Sequence, residues 1–186
     1  KIINKHNTKK GLIMKKFSLV VLVALVALSG TSLLAGDNAS ATVDAIVQAN
    51  LLLTNTAIVD FKTLQPTSTP IIDPKNASHT DVTAPTVGTF TLSGAAGQIV
   101  AITEGGAVTL GDGGSQTMIF TPDLEGHATT QGSATDVGAT VTLDGSGNFL
   151  FWLGGDLGTL ANQPAGTYAS DAGNGSGDWA LTVEYN

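Results

Sequence analysis

The chain has no cysteine and no arginine among its 186 residues, and only 12% of them are charged. Without cysteine there is no disulfide scaffold, no thiol nucleophile and no Cys-ligated zinc or iron–sulfur centre. Without arginine, cation chemistry rests on eight lysines, and six of these lie in the first sixteen residues. Beyond Ala41 only Lys62 and Lys75 remain against 14 acidic residues, a net of −12. Such a surface has almost nothing to neutralise a nucleic-acid backbone and would not adhere to anionic lipid. Neither nucleic acid nor membrane is therefore an expected partner of the mature chain. Aromatics are few, at 5%, and long amphipathic helical periods are missing as well. A mean hydropathy of +0.22 excludes a disordered acidic tail.

What is present starts with a leader. Met14-Lys15-Lys16 opens a basic segment, Phe17 to Leu28 is an apolar run of twelve, and small residues follow. This is the layout of a secretory signal peptide, and the run is short of the ~20 residues of a comfortable membrane span. Residues 14–41 are read as this signal helix, with cleavage after Ala35 or Ala41 and Ala41 preferred. Residues 1–13 precede the start methionine and are read as an upstream extension. Residues 42–186 are the expected single domain, secreted to the extracellular space or cell surface. No lipobox cysteine follows the apolar run.

The body reads as strands. Val43, Ala45, Val47, Ala49, Leu51 and Leu53 are apolar at six consecutive odd positions, which places them on one face of a strand. Thr54-Asn55 is read as a break, after which Ala57, Val59 and Phe61 resume the alternation. Residues 63–86 hold four of the six prolines and read as a linker-like loop that cannot be a central strand, with Ile71-Ile72 as a short edge. Further strands are predicted over 88–92, 98–103, 107–110, 116–121, 139–143, 148–153, 157–160 and 167–170. The last predicted strand is Trp179 to Tyr185, in which Trp179, Leu181, Val183 and Tyr185 share a face. Gly- and Asp-rich turns separate these segments. Many short strands with regular turns predict an all-β fold, an antiparallel Ig-like or pilin-like β-sandwich preceded by the signal helix.

Four short motifs occur in order within this body. They are Gly88-Thr89-Phe90-Thr91-Leu92-Ser93-Gly94, Phe149 to Leu157 (FLFWLGGDL), Gln163 to Tyr168 with Gly166 between them, and Leu181 to Tyr185. In these the chain, over about residues 41–186, resembles the secreted bacterial domain-of-unknown-function family 4402. It departs from that pattern at Lys62, where a Gly usually follows the Phe, and in an insert, Asp171 to Gly177, that lengthens the last hairpin. The resemblance implies an exported, fimbria-like β-sandwich with no catalytic residues.

The residues agree that this is not an enzyme. Beyond the leader there are two histidines, His79 and His127, without H-x-x-x-H spacing, and no G-x-S-x-G elbow accompanies them. Acid pairs such as Asp123/Glu125 or Asp136/Asp144 have the residue type of glycoside hydrolysis but no distinguishing context. Trp152 and Trp179 read first as packing residues, and second as a sugar-stacking platform. No cofactor is implied. Calcium is the one ion with candidate loops, at Gly111 to Ser115, Asp144 to Asn148 and Asp171 to Asp178, and ordinary turns account for all three.

The two ends of the body carry the functional expectation. The alternating segment from Thr42 to Leu53 suits donation to a second copy by β-strand addition, and head-to-tail donation propagates as a filament. Pairing within its own domain is the other reading. At the C-terminal end Tyr185 is penultimate and Gly173 fourteenth from the end, which resembles the C-terminal pattern of chaperone–usher pilins. The expected role is a structural subunit of an extracellular filament, fimbria or matrix that associates with itself and with a secretion chaperone. The alternative is a secreted adhesin or carbohydrate-binding module using Trp152 or loop residues.

Overall fold

The computed structural model describes residues 47–186. The expected signal helix over residues 14–41, the upstream extension, Val43 and Ala45 lie outside the described residues. What is described is all-β, with eleven strands, one short 3-10 turn at Gln131–Ser133 and no α-helix. The strands are β1 (Leu52–Ala57), β2 (Ile71–Ile72), β3 (His79–Thr80), β4 (Gly88–Ser93), β5 (Ile99–Glu104) and β6 (Val108–Gly111). They continue as β7 (Thr117–His127), β8 (Thr135–Asp136), β9 (Thr140–Thr142), β10 (Asn148–Asp156) and β11 (Leu181–Tyr185).

Period-2 patterning explains why these segments are strands. In β4, Gly88, Phe90 and Leu92 are buried while Thr89, Thr91 and Ser93 stay half-buried on the other face. β10 departs from alternation because it is covered on both faces, and Phe151 to Gly155 are all buried.

Every pairing is antiparallel. In the larger sheet β1 forms an edge on β4, and β4 pairs with β10 from Asn148↔Ser93 to Leu153↔Gly88. Past Leu153 the same edge of β10 passes to β2, and its opposite edge pairs with β7. The smaller sheet has the order β11-β5-β9. Residues of both sheets, including Leu92, Phe151 and Leu153 from one and Val100 and Ile102 from the other, form a single buried apolar cluster. Burying each such side chain is worth about 1.5–3 kcal/mol, so this cluster between two antiparallel sheets defines a β-sandwich.

Four local expectations need correction. The proline-rich stretch is built into the sheet and core: Ile72 is fully buried between β10 and β3, and Pro70 and Pro74 on either side are buried with it. The prolines flank the two ladder residues rather than occupying them, so no β2 N–H is lost to a ring. Thr54 and Asn55 do not break the first strand but lie inside β1, and the irregularity falls at Thr56, where the register shifts by one residue. Leu157 to Leu160 form no strand. Leu157 and Leu160 are buried, and their N–H groups donate to the carbonyls of Pro70 and Ser68. Thr167 to Ser170 reduces to one bridge, Ala169 with Gly111.

The Gly154-Gly155 pair of the second motif has a packing reason. A Cβ on Gly154 would strike the Ile72 carbonyl oxygen, and one on Gly155 the Thr121 carbonyl oxygen. Only side-chain-free residues let β2 and β7 close on the two edges of β10 here.

Candidate functional site

The first strand is held on one side only. Its register runs Leu52↔Ser93, Leu53↔Leu92, Thr54↔Thr91 and Asn55↔Phe90, then skips Thr56 to resume at Ala57↔Thr89. The Thr56 hydroxyl donates to the Thr89 carbonyl at 3.2 Å and covers the bulge. Leu51, Leu53 and Ala57 are half-buried, and the two leucines pack on the core, whereas Leu52 points outward at 60% exposure. The odd-numbered face is thus the inner one here, as period 2 requires. Ala49 and Val47, further back on the same predicted face, lie before the strand, and Val47 is 95% exposed. The strand is shorter and starts later than the alternation suggests, because β4 ends at Ser93 opposite Leu52.

A tyrosine joins this segment to the other sheet. Tyr185, the last residue of β11, accepts a hydrogen bond from the Ala95 N–H and donates one to the Ala49 carbonyl, each 2.7 Å long. One step back, the Gln48 side-chain amide donates to the Gln98 side-chain oxygen at 3.1 Å. Trp179, Leu181, Val183 and Tyr185 are all half-buried and packed on the core, on the shared face their spacing predicts. Trp179 donates its indole N–H to the Gly105 carbonyl at 2.8 Å, and its ring lies 5.9 Å from that of Phe90.

Between residues 55–66, at the end of β1, and residues 163–171 opens a cleft of about 900 Å³. Phe61, Phe90, Val108, Phe120, Leu153 and Trp179 are among its lining residues. Three of the four sequence motifs contribute to it. Gly88 and Phe90 come from the first, Leu153 and Leu157 from the second, and Gln163 to Tyr168 from the third. Gln163 donates to the Thr117 carbonyl at 3.2 Å and Tyr168 to the Pro164 carbonyl at 3.0 Å, which sets the loop as one wall.

The other candidate residues are placed as follows. Trp152 is 7% exposed, on the face of β10 opposite Phe151 and Leu153, beside Glu125 of β7. A ring so covered offers no stacking platform. Glu125 and Asp123 lie on that face with Asp73 and Asp136 close enough to influence both. Desolvation pushes the Asp123 carboxyl above the usual carboxylate range, and the charges of Asp136 and Asp73 add to it. Glu125 is raised by desolvation first, then by Asp123 and Asp73, with Lys75 opposing. Asp144 stands apart from Asp136 as a turn residue, accepting from the N–H groups of Ser146 and Asn148 at 2.8 Å each.

The loops considered for calcium are engaged by amides. One Asp112 oxygen accepts from the Gly114 and Gln116 N–H groups and from the Asn174 side chain, which holds its carboxyl below the usual range. Asp178 accepts from the Ser170 hydroxyl. His127 Nδ1 accepts from the Thr129 and Thr130 N–H groups, and His79 Nδ1 bonds the Ala77 carbonyl.

Sequence reasoning missed two parts. The 171–177 insert is anchored by Asn174, which accepts from the Gly113 N–H and donates to the Gln116 carbonyl, both at 2.8 Å. The Asn-Gly dipeptide marks a turn, but nothing in it says which loop the side chain enters. The other part is Lys62, whose backbone is left-handed at φ 58°. The Gly that the resemblance led one to expect at this position was the available signal, because only Gly adopts this conformation without steric cost. Here Asp60 compensates, accepting from the Lys62 N–H at 2.8 Å and ion-pairing with its ammonium.

Residues 63–185 match the family model described as "Domain of unknown function (DUF4402)". No curated protein and no solved structure matches the chain. The matched span contains β4, β10 and β11, and begins after β1.

Proposed function

The chain belongs to the DUF4402 family, and from that premise we propose that it is a non-enzymatic structural subunit of an extracellular filament, fimbria or matrix. Subunits join by donating the N-terminal strand to a neighbouring copy. The observation that carries this reading is the state of β1. It is an edge strand, bonded along one side, anchored by two half-buried leucines and lying outside the family's matched span. The receiving strand, β4, lies inside the matched span and β1 lies before it, and an edge strand held along one side is the part of a sandwich that a second copy can supply.

The physics of exchange follows. An unpaired β4 edge leaves a row of backbone donors and acceptors and an apolar flank uncovered. The chain's own β1 or a second copy's β1 satisfies both in the same register, so the two arrangements differ little in contact energy. Concentration then decides between them. A copy that gives its strand forward and receives one from behind makes a heterologous contact, which extends rather than closes. During export a secretion chaperone would cover the β4 edge in the same way. The leader supplies the route out of the cell, and the surplus of acids over lysines keeps the released subunits from adhering to one another unspecifically. The adhesin reading has no comparable support, since Trp152 is buried and the Trp179 ring packs beside Phe90.

A cysteine-free chain allows a clean test. Thr54 and Thr91 face each other across β1 and β4, so the double variant Thr54→Cys/Thr91→Cys locks β1 in its own domain when oxidised. Light scattering and negative-stain microscopy at rising concentration are expected to show polymers of the reduced protein and monomers of the oxidised one. Polymers in both states would rule out strand donation, and polymers in neither would rule out self-assembly altogether.

A further inference from the structure

The Tyr185 hydroxyl, the Ala95 N–H and the space over Gly94 converge on the N-terminal segment just before β1. Tyr185 bonds the Ala49 carbonyl and the Ala95 N–H at once, 2.7 Å each, and so links residues 136 and 90 positions away in sequence. A Cβ on Gly94 would come within 2.6 Å of the Tyr185 hydroxyl and 2.9 Å of Leu51 Cδ1. The missing side chain is therefore what leaves room at Gly94 for both the tyrosine hydroxyl and the leucine. The Gln48–Gln98 bond adds a second polar tie at the same place.

We propose that Gly94, Ala95 and Tyr185 form a docking socket for the N-terminal segment. The socket recognises a backbone carbonyl at position 49 followed by a leucine at 51. It accepts the segment from its own chain or from a second copy alike. This deepens the strand-donation reading and rests on it for the second-copy half. Because the same socket is filled before and after exchange, its bonds cancel from the balance between monomer and polymer. They do not cancel from the step in which β1 leaves. Tyr185 is thus a positioning residue that sets how fast the strand is released.

Hydrogen–deuterium exchange on the dilute, monomeric full chain tests the socket alone. Opening breaks the bond to the Ala49 carbonyl, so Tyr185→Phe is expected to speed exchange of the β1 amides about fivefold, the equivalent of one net hydrogen bond. Amides of β5 and β10 are expected to keep the wild-type rate. Leu51→Ala is expected to act in the same direction on the same amides. Unchanged β1 exchange in Tyr185→Phe would overturn the socket. So would an equal acceleration in β5 and β11, which would mean that the tyrosine merely supports the smaller sheet.

Polymerisation of the same variant gives the second readout. The lag is expected to shorten while the final polymer mass stays that of the wild type. A reduced final mass would refute a socket shared equally by the two copies. Should the wild type form no polymer, strand donation fails, and the exchange measurement still decides whether Tyr185 latches the segment in its own domain.

Discussion

β10 and β1 flank the same strand, β4, yet they differ in almost everything that determines stability. β10 is paired along both edges and buried on both faces, with Phe151 fully enclosed and two glycines admitting neighbouring backbones. β1 is paired along one edge, bulged at Thr56, and exposes Leu52. One sheet therefore contains a strand paired on both edges and covered on both faces, and a strand held along one edge with one face turned outward. Local opening energies in a domain range from near zero to the global value, and these two strands are expected to stand toward opposite ends of that range.

The comparison can be broken most directly at its rigid end. Phe151→Ala is expected to cost about 3–5 kcal/mol, because it empties a fully enclosed site that the surrounding sheets cannot collapse into. Chemical denaturation would read this as a lower midpoint for the whole domain. Leu53→Ala, on the half-buried face of β1, is expected to cost only about 1 kcal/mol. Its main effect would be faster exchange of the β1 amides, with a fall in global stability several times smaller than that of Phe151→Ala. Equal losses in the two variants would mean that β1 is as integral as β10, and the argument for donation would fall with the contrast.

Two smaller effects sharpen the picture near each strand. Lys62 follows the β1 segment in a left-handed conformation. Lys62→Gly is expected to stabilise by about 0.5 kcal/mol, the steric relief exceeding the loss of an exposed ion pair. A fall in melting temperature would show that the Asp60 contacts outweigh the strain. Beside β10, Asp123 and Glu125 hold raised pKa values in the fold. They bind protons more tightly folded than unfolded, so their contribution is fully present below the ordinary carboxylate value of about 4 and is lost as pH rises through the raised folded values. Asp60 and Asp112, both depressed, act oppositely and below that window. The stability of wild type relative to Asp123→Asn is therefore expected to fall as pH rises above the ordinary carboxylate value of about 4. Solvent screening keeps the change under about 1 kcal/mol, and thermal melts at rising pH would measure it.

The extent to which the sequence was legible follows the range of the forces involved. β4, β5, β6, β10 and β11 lie within a few residues of their predicted bounds, because alternation and turn residues are local signals. The Trp179-Leu181-Val183-Tyr185 face is likewise a matter of spacing. The proline-rich stretch misled because proline density reports a missing donor at each ring. It does not report whether Ile72, between the rings, finds a partner strand. β7 runs six residues past its predicted end, through Pro122, because its second half is held by β10. The N-terminal segment is strand-like in its alternation, yet its start at Leu52 depends on where β4 stops. The Ala49–Tyr185 bond spans nearly the whole described chain and left no trace in local pattern.

The amino-acid order alone determined an all-β chain with little cationic charge beyond its first sixteen residues, the inward parity of its odd-numbered N-terminal face, and its turns. Each of these depends on a residue and its near neighbours. Tertiary structure decided that Trp152 is buried on an outer face, that Asn174 pins the insert to another hairpin, and that β1 is an edge while β10 is an interior strand. Those outcomes depend on which distant backbone groups come together, and hydrogen-bond pairing between strands carries no sequence code of its own.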